Sequence, residues 1–184
     1  MKFVLLLLFT LVTIASFALS FEAEELRFSL QPGFWEMEGL YHFANHTDEP
    51  ISQVIFFPIP ADSLCAVPTI SKVELAEPDS LASCVFVQQN NAGFYFRLSM
   101  PEKHFCTVQI VYKQVLSGNY ASYIITSANK WGKPLSFASY SLVFAHGITI
   151  TELPFPVQQQ GNTGYFWEFY DFSPQGEFLV RFNR

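Results

Sequence analysis

Ring-bearing side chains are the residues of this sequence whose type and spacing best suit recognition chemistry. The run Tyr165-Phe166-Trp167-Glu168-Phe169-Tyr170 carries rings on both faces of a strand, and Trp131 stands in a long connection beside Gly132 and Pro134. If exposed, Trp131, Trp167, Tyr165 and Tyr170 would stack on sugars or on a partner's apolar patch. If the strand is central, the same rings are core.

Groups that could do bond-making chemistry are scattered. His42 and His46 share a strand face but stand about 13 Å apart at 3.3 Å per residue, too far to hold one metal directly. His104 and His146 lie elsewhere, and Glu36, Glu38, Asp48 and Glu49 are the acids nearest the first pair. Neither a Gly-x-Ser-x-Gly elbow nor a local cysteine-protease signature occurs, and glycine-rich phosphate loops and dinucleotide fingerprints are missing too. Glu168 and Asp171 fall on opposite faces of one strand, which discourages a carboxylate pair. A hydrolase would need two or more of His42, His104, Glu36, Glu168 and Asp171 to converge in one pocket from distant segments. No cofactor or metal is therefore expected, and a non-enzymatic chain is favoured.

Cys65, Cys84 and Cys106 form an odd set whose spacing fits neither a zinc site nor a redox motif. Three pairings are open. Cys65 with Cys84 is the favoured bridge, against three buried thiols. Asn45-His46-Thr47 reads as a glycosylation sequon.

These groups would work outside the cytoplasm. Lys2 followed by the apolar stretch Phe3 to Leu19, with small residues at Ser16, Ala18 and Ser20, has the three-part layout of a secretory signal over residues 1–20. Cutting is expected after Ala18 or Ser20. The rival reading, an uncleaved anchor, sits at the lower limit of about 17 residues for a bilayer span. Later apolar stretches are short, so no membrane span is expected once the signal is gone. The chain carries 10 basic and 16 acidic residues, and loss of Lys2 takes the net charge from −6 to −7. That sign repels phosphate backbones and argues against nucleic acid as a partner.

The elements that must position the rings are strands. Period-two alternation recurs, as in Trp35, Met37, Tyr41 and Phe43 opposite Glu36, Glu38 and His42. Strands are expected at 51–58, 69–76, 83–89, 93–100, 104–116, 120–128, 137–145, 147–153, 164–171 and 177–183, with a short one near 25–30. Turn signals such as Asn90-Asn91-Ala92-Gly93 and Pro101-Glu102-Lys103 divide them. Segments 61–68 and 153–163 read as loops. With no helical crossovers in the pattern, the expected fold is an all-β, immunoglobulin-like antiparallel sandwich, one domain over residues 21–184.

Several stretches carry a resemblance. Tyr41-x-Phe43-x-Asn45, Phe57-Pro58-Ile59-Pro60, Tyr112-x-Gln114-x-Leu116, Tyr123-Ile124-Ile125-Thr126, Trp131-Gly132-x-Pro134-Leu135 and Asp171-Phe172-x-Pro174 resemble a group of uncharacterised exported bacterial β-rich proteins. They span about half of the chain beyond the signal. The resemblance implies a secreted or periplasmic β-rich domain and adds no catalytic residue. Taken with the rings, the expectation is a binding or structural module of the cell envelope or exterior, its partner another envelope protein or a glycan; the alternative is a carbohydrate-active protein.

Overall fold

The computed structural model describes residues 18–162 and 164–184. The expected signal lies almost wholly outside them. Thirteen strands and one short 3-10 helix are present among the described residues. The strands are β1 (Leu19–Gln31), β2 (Phe34–Asn45), β3 (Ile51–Pro58), β4 (Thr69–Leu75), β5 (Ser83–Asn90), β6 (Gly93–Met100) and β7 (His104–Val115), then β8 (Tyr120–Tyr123), β9 (Leu135–Phe144), β10 (Thr149–Glu152), β11 (Gln159–Gly161), β12 (Gly164–Phe172) and β13 (Phe178–Asn183). The all-β expectation holds. No helix among the described residues is long and apolar enough to cross a membrane.

One large sheet, ordered β11-β12-β9-β1-β2-β7-β4, is covered on one face by two three-stranded sheets, β3-β6-β5 and β10-β13-β8. Rings join the layers. Phe28 on β1 stacks on Trp35 at 4.9 Å and on Phe178 of β13 at 4.3 Å. Tyr41 meets Phe57 edge-on at 5.4 Å, and Phe43 meets Phe96 at 6.4 Å. Such pairs add roughly 0.5–1.5 kcal/mol each beyond the burial of their area. On β2 the alternation is as expected: Trp35, Met37, Tyr41 and Phe43 are buried while Glu36 and Glu38 are exposed.

Three sequence expectations are corrected. The pairing is not wholly antiparallel, because β1 and β9 run parallel from Ala23↔Phe137 to Leu30↔Phe144 at the centre of the large sheet. A parallel pair needs a long crossover. Here the strands β2 to β8 supply it in place of a helix, so the missing helical pattern did not exclude it. The short strand near 25–30 is in fact the 13-residue β1. Its acids disguised it: Glu22 is skipped in the register between Phe21 and Ala23, and this bulge turns both Phe21 and Glu24 inward. The strand expected over 120–128 stops at Tyr123, and Thr126–Trp131 forms a 3-10 helix. Glu177 accepts from the Thr126 backbone N–H, Asn129 donates to the Pro174 carbonyl at 2.8 Å, and Gly132 ends the turn at φ 75°.

The motif residues fix loops to this frame. Gln114, fully buried on β7, accepts from Trp35 Nε1 at 3.0 Å and donates to the carbonyls of Pro60 at 2.6 Å and Ala66 at 2.8 Å. The segment after β3 is thus stitched to the large sheet. Pro58 closes β3, an edge strand, where a missing N–H discourages pairing with other chains. Gln159–Gly161, expected in a loop, pairs with β12 as a short edge strand.

Candidate functional site

A cleft opens between the layers where β1 and β2 face β3, with the 3-10 helix along one side. Its volume is about 300 Å³, and Phe21, Glu24, Tyr41, Phe57, Tyr123 and Trp131 shape its interior. Gln53, Ser127 and the exposed Lys130 add polar groups. An apolar cavity with a few convergent polar groups is the usual form of a small-molecule site, and this volume stands at the small end of that class.

Each wall has an identifiable cause. The Glu22 bulge delivers Phe21 and Glu24. The last residue of the 3-10 helix delivers Trp131, whose ring packs against Phe21 at 5.9 Å and Phe43 at 5.6 Å. The chain beyond Gly132 is latched from outside: Lys133 Nζ donates to both Glu22 carboxylate oxygens at 2.7 Å, and Ser136 Oγ donates to the Glu22 carbonyl at 2.8 Å. Partial burial would raise the Glu22 carboxyl, but the Lys133, His46 and Ser20 hydrogen bonds outweigh it and lower it to about 2.

Glu24 is the cleft's chemical peculiarity. It is 2% exposed, and Tyr140 Oη donates to its carboxylate at 2.6 Å. Burial raises its pKa to about 7, against the lowering effect of that one bond. Near neutral pH the carboxyl therefore exchanges between a donor form and a charged acceptor form. Beside it the hydroxyls of Tyr41 and Tyr123 lie 2.7 Å apart, one donating to the other. Burial drives both phenols well above the ordinary tyrosine range, so they stay neutral.

The four rings singled out in the sequence do not form one surface. Trp131 is half-buried and lines the cleft. Trp167 is fully buried, with Nε1 donating to the Pro156 carbonyl at 2.9 Å, so it is core and has no free face for a ligand. Tyr165, on the same side of β12, stacks half-buried on Phe144 at 5.9 Å. Tyr170 points the other way, 72% exposed, against Phe137 at 5.4 Å.

The remaining candidates are dispersed. His42 pairs with Glu25 at 3.1 Å, His46 with Glu22 at 2.8 Å and His104 with Asp79 at 2.6 Å. No group of three or more metal-ligating side chains occurs among the described residues. All three cysteines are free, so the favoured Cys65–Cys84 bridge is not formed. Cys65 sits opposite Leu116 with its thiol 3.9 Å from the Tyr120 carbonyl, away from Cys84, which lies opposite Leu98. The sequon is also structural: Asn45 is fully buried, and its amide donates to the Glu49 and Pro101 carbonyls at 2.7 and 2.8 Å.

Glu24, Tyr41 and Tyr123 were missed as site residues. A signal existed for the first, because Glu24, Leu26, Phe28 and Leu30 alternate on one face and an acid holds an inward position.

No protein-family profile matches the chain, and no curated protein matches it in sequence. Solved structures resemble it in fold alone. A "putative nutrient binding protein" of Legionella pneumophila is 11% identical with a TM-score of 0.57, over 92% of this chain and 68% of that one. Native yeast LTA4 hydrolase is 8% identical with a TM-score of 0.51, over 90% of this chain and 29% of that one, so the chain spans less than a third of the hydrolase.

Proposed function

We propose that this chain is an exported, non-enzymatic binding module that takes a small, largely apolar ligand into the cleft between its two layers. The cleft carries this reading: rings on its walls give area, Glu24 at its interior gives one adaptable hydrogen bond, and Lys130 favours an anionic group on the ligand. The fold likeness to the Legionella protein is compatible with a binding role. Export, to the periplasm or the exterior, rests on the signal layout of residues 1–20. Leu19 is buried and pairs with Asn45, which supports cutting after Ala18 in preference to Ser20. The domain is read as a sandwich of immunoglobulin-like kind whose central parallel pair departs from the usual strand order. A glycan stacked on the exposed Tyr170, beside half-buried Phe137, is the second reading.

The probe 1-anilinonaphthalene-8-sulfonate combines rings with an anion and tests the first reading directly. Saturable fluorescence enhancement is expected, weakened at least tenfold by Trp131→Ala and unchanged by Tyr170→Ala. Equal binding by the Trp131→Ala protein would overturn the cleft assignment. Glycan binding abolished by Tyr170→Ala would favour the second reading instead.

A further inference from the structure

We propose that Cys84 and Cys106, both free thiols here, close on oxidation into a disulfide that ties the β3-β6-β5 sheet to the large sheet. Register places them face to face. Cys84 lies opposite Leu98 on β6, and Leu98 is fully buried between the layers. Cross-strand partners share a face, so Cys84 points toward the large sheet. Cys106 lies opposite Phe43, which is buried from the other side, so Cys106 points toward the small sheets.

Longitudinal position agrees. The Pro101–Lys103 turn carries the chain from the Leu98 end of β6 straight into the Cys106 end of β7. Residues 75–80 bring β5 to the same corner: Ala76 N–H donates to the Thr107 carbonyl at 2.8 Å, and Asp79 pairs with His104 at 2.6 Å while accepting from the Leu81 and Ala82 N–H groups. Cys84 and Cys106 each line a cleft against Leu75, Pro78, Asp79 and Ser80. Both are half-buried, and each cleft gives a reagent a way in.

Cys65 is excluded as partner of either. It sits opposite Leu116, ten residues along the chain from Cys106 and roughly 30 Å away at strand rise, whereas bridged Cα atoms lie within about 7 Å.

The oxidant is an external disulfide. One thiolate attacks a sulfur of that disulfide, forming a mixed disulfide and releasing one external thiolate. The second cysteine, as thiolate, attacks the protein sulfur of the mixed disulfide and releases the other. The two protons given up by the cysteines pass through solvent to the released thiolates, so the electron pair leaves in two external thiols. Burial, together with neighbouring charge, pushes Cys84 up to about 12 and Cys106 up to about 11, so uncatalysed exchange is slow at neutral pH and quickens about tenfold per pH unit.

The folded protein is incubated with oxidised glutathione and a disulfide isomerase at about pH 8.5, then alkylated, unfolded, digested and mapped by mass spectrometry. One peptide pair joined through Cys84 and Cys106, lighter by two hydrogens, is expected, with Cys65 alkylated. Thermal melting should rise by roughly 5 °C on oxidation. In the Cys84→Ser protein, glutathione should remain on Cys106 because no second thiol resolves it. A bridge through Cys65, stable glutathione on both Cys84 and Cys106, or three unreacted thiols overturns the proposal.

Discussion

Glu22 and Glu24 turn their carboxyl groups to opposite sides of β1, the first to Lys133 on the surface and the second to Tyr140 in the interior. Their effects on stability have opposite signs. Glu24 has a folded value of about 7 against 4.5 unfolded, so the folded state holds more protons between those values; its contribution is fully present below pH 4.5 and declines as pH rises to 7, by about 3 kcal/mol. Glu22 is lowered to about 2, so its contribution is present above pH 4.5 and lost as pH falls toward 2. Thermal melts across this range should peak near pH 4.5. Glu24→Gln should flatten the alkaline side and Glu22→Gln the acid side. An unchanged slope in Glu24→Gln would contradict the buried, protonated carboxyl.

Tyr41 and Tyr123 close the cleft from opposite layers through their hydroxyl pair. Tyr41→Phe or Tyr123→Phe leaves one buried hydroxyl short of its partner, at a cost of about 1–2 kcal/mol each. The double substitution removes both groups, so it should cost less than the two singles together. Chemical denaturation of the four proteins measures the coupling; strict additivity would mean that the pair does not hold the layers.

Asn45 fastens the end of β2 to two carbonyls and caps Thr47, whose N–H and hydroxyl both donate to its Oδ1, at 3.0 and 2.7 Å. Asn45→Ala strands buried carbonyls and should lose about 2–3 kcal/mol. The folded protein offered to an oligosaccharyltransferase should stay unmodified, because the acceptor amide is enclosed. Glycan found on natively folded material would refute this placement.

Legibility in the sequence followed the nature of each signal. Strand alternation was readable wherever one face is buried and the other wet, as on β2, because period two is enforced by the pleat. It failed on β1, where a bulge shifts parity at Glu22 and a buried acid interrupts the apolar series. It also failed at Thr126–Trp131, since hydrogen bonds donated to the Glu177 carboxylate and the Pro174 carbonyl, both distant in sequence, decide that segment. The cleft joins residues of β1, β2, β3 and β8 across two layers, and only the sheet order brings them together. Of its lining residues only Trp131 stands out in the sequence as a ligand-stacking ring; Tyr41, Phe57 and Tyr123 occur in strand motifs that read as structure.

Trp167 and Trp131 separate core from site. Trp167 is enclosed by Phe155, Tyr165 and Phe178, with ring centroids 5.8 to 6.1 Å away, and its N–H is satisfied by Pro156. Trp167→Ala should therefore lose about 3–5 kcal/mol by leaving a cavity and an orphaned carbonyl. Trp167→Phe should recover much of that and bind the fluorescent probe as the parent does. Trp131 is half-buried at the cleft wall, so truncating it removes less packing and should reduce stability by a smaller amount while abolishing most probe binding. Denaturation and titration performed on the same three proteins distinguish the roles: a folded Trp167→Phe protein that no longer binds would move the site to β12, away from the 3-10 helix.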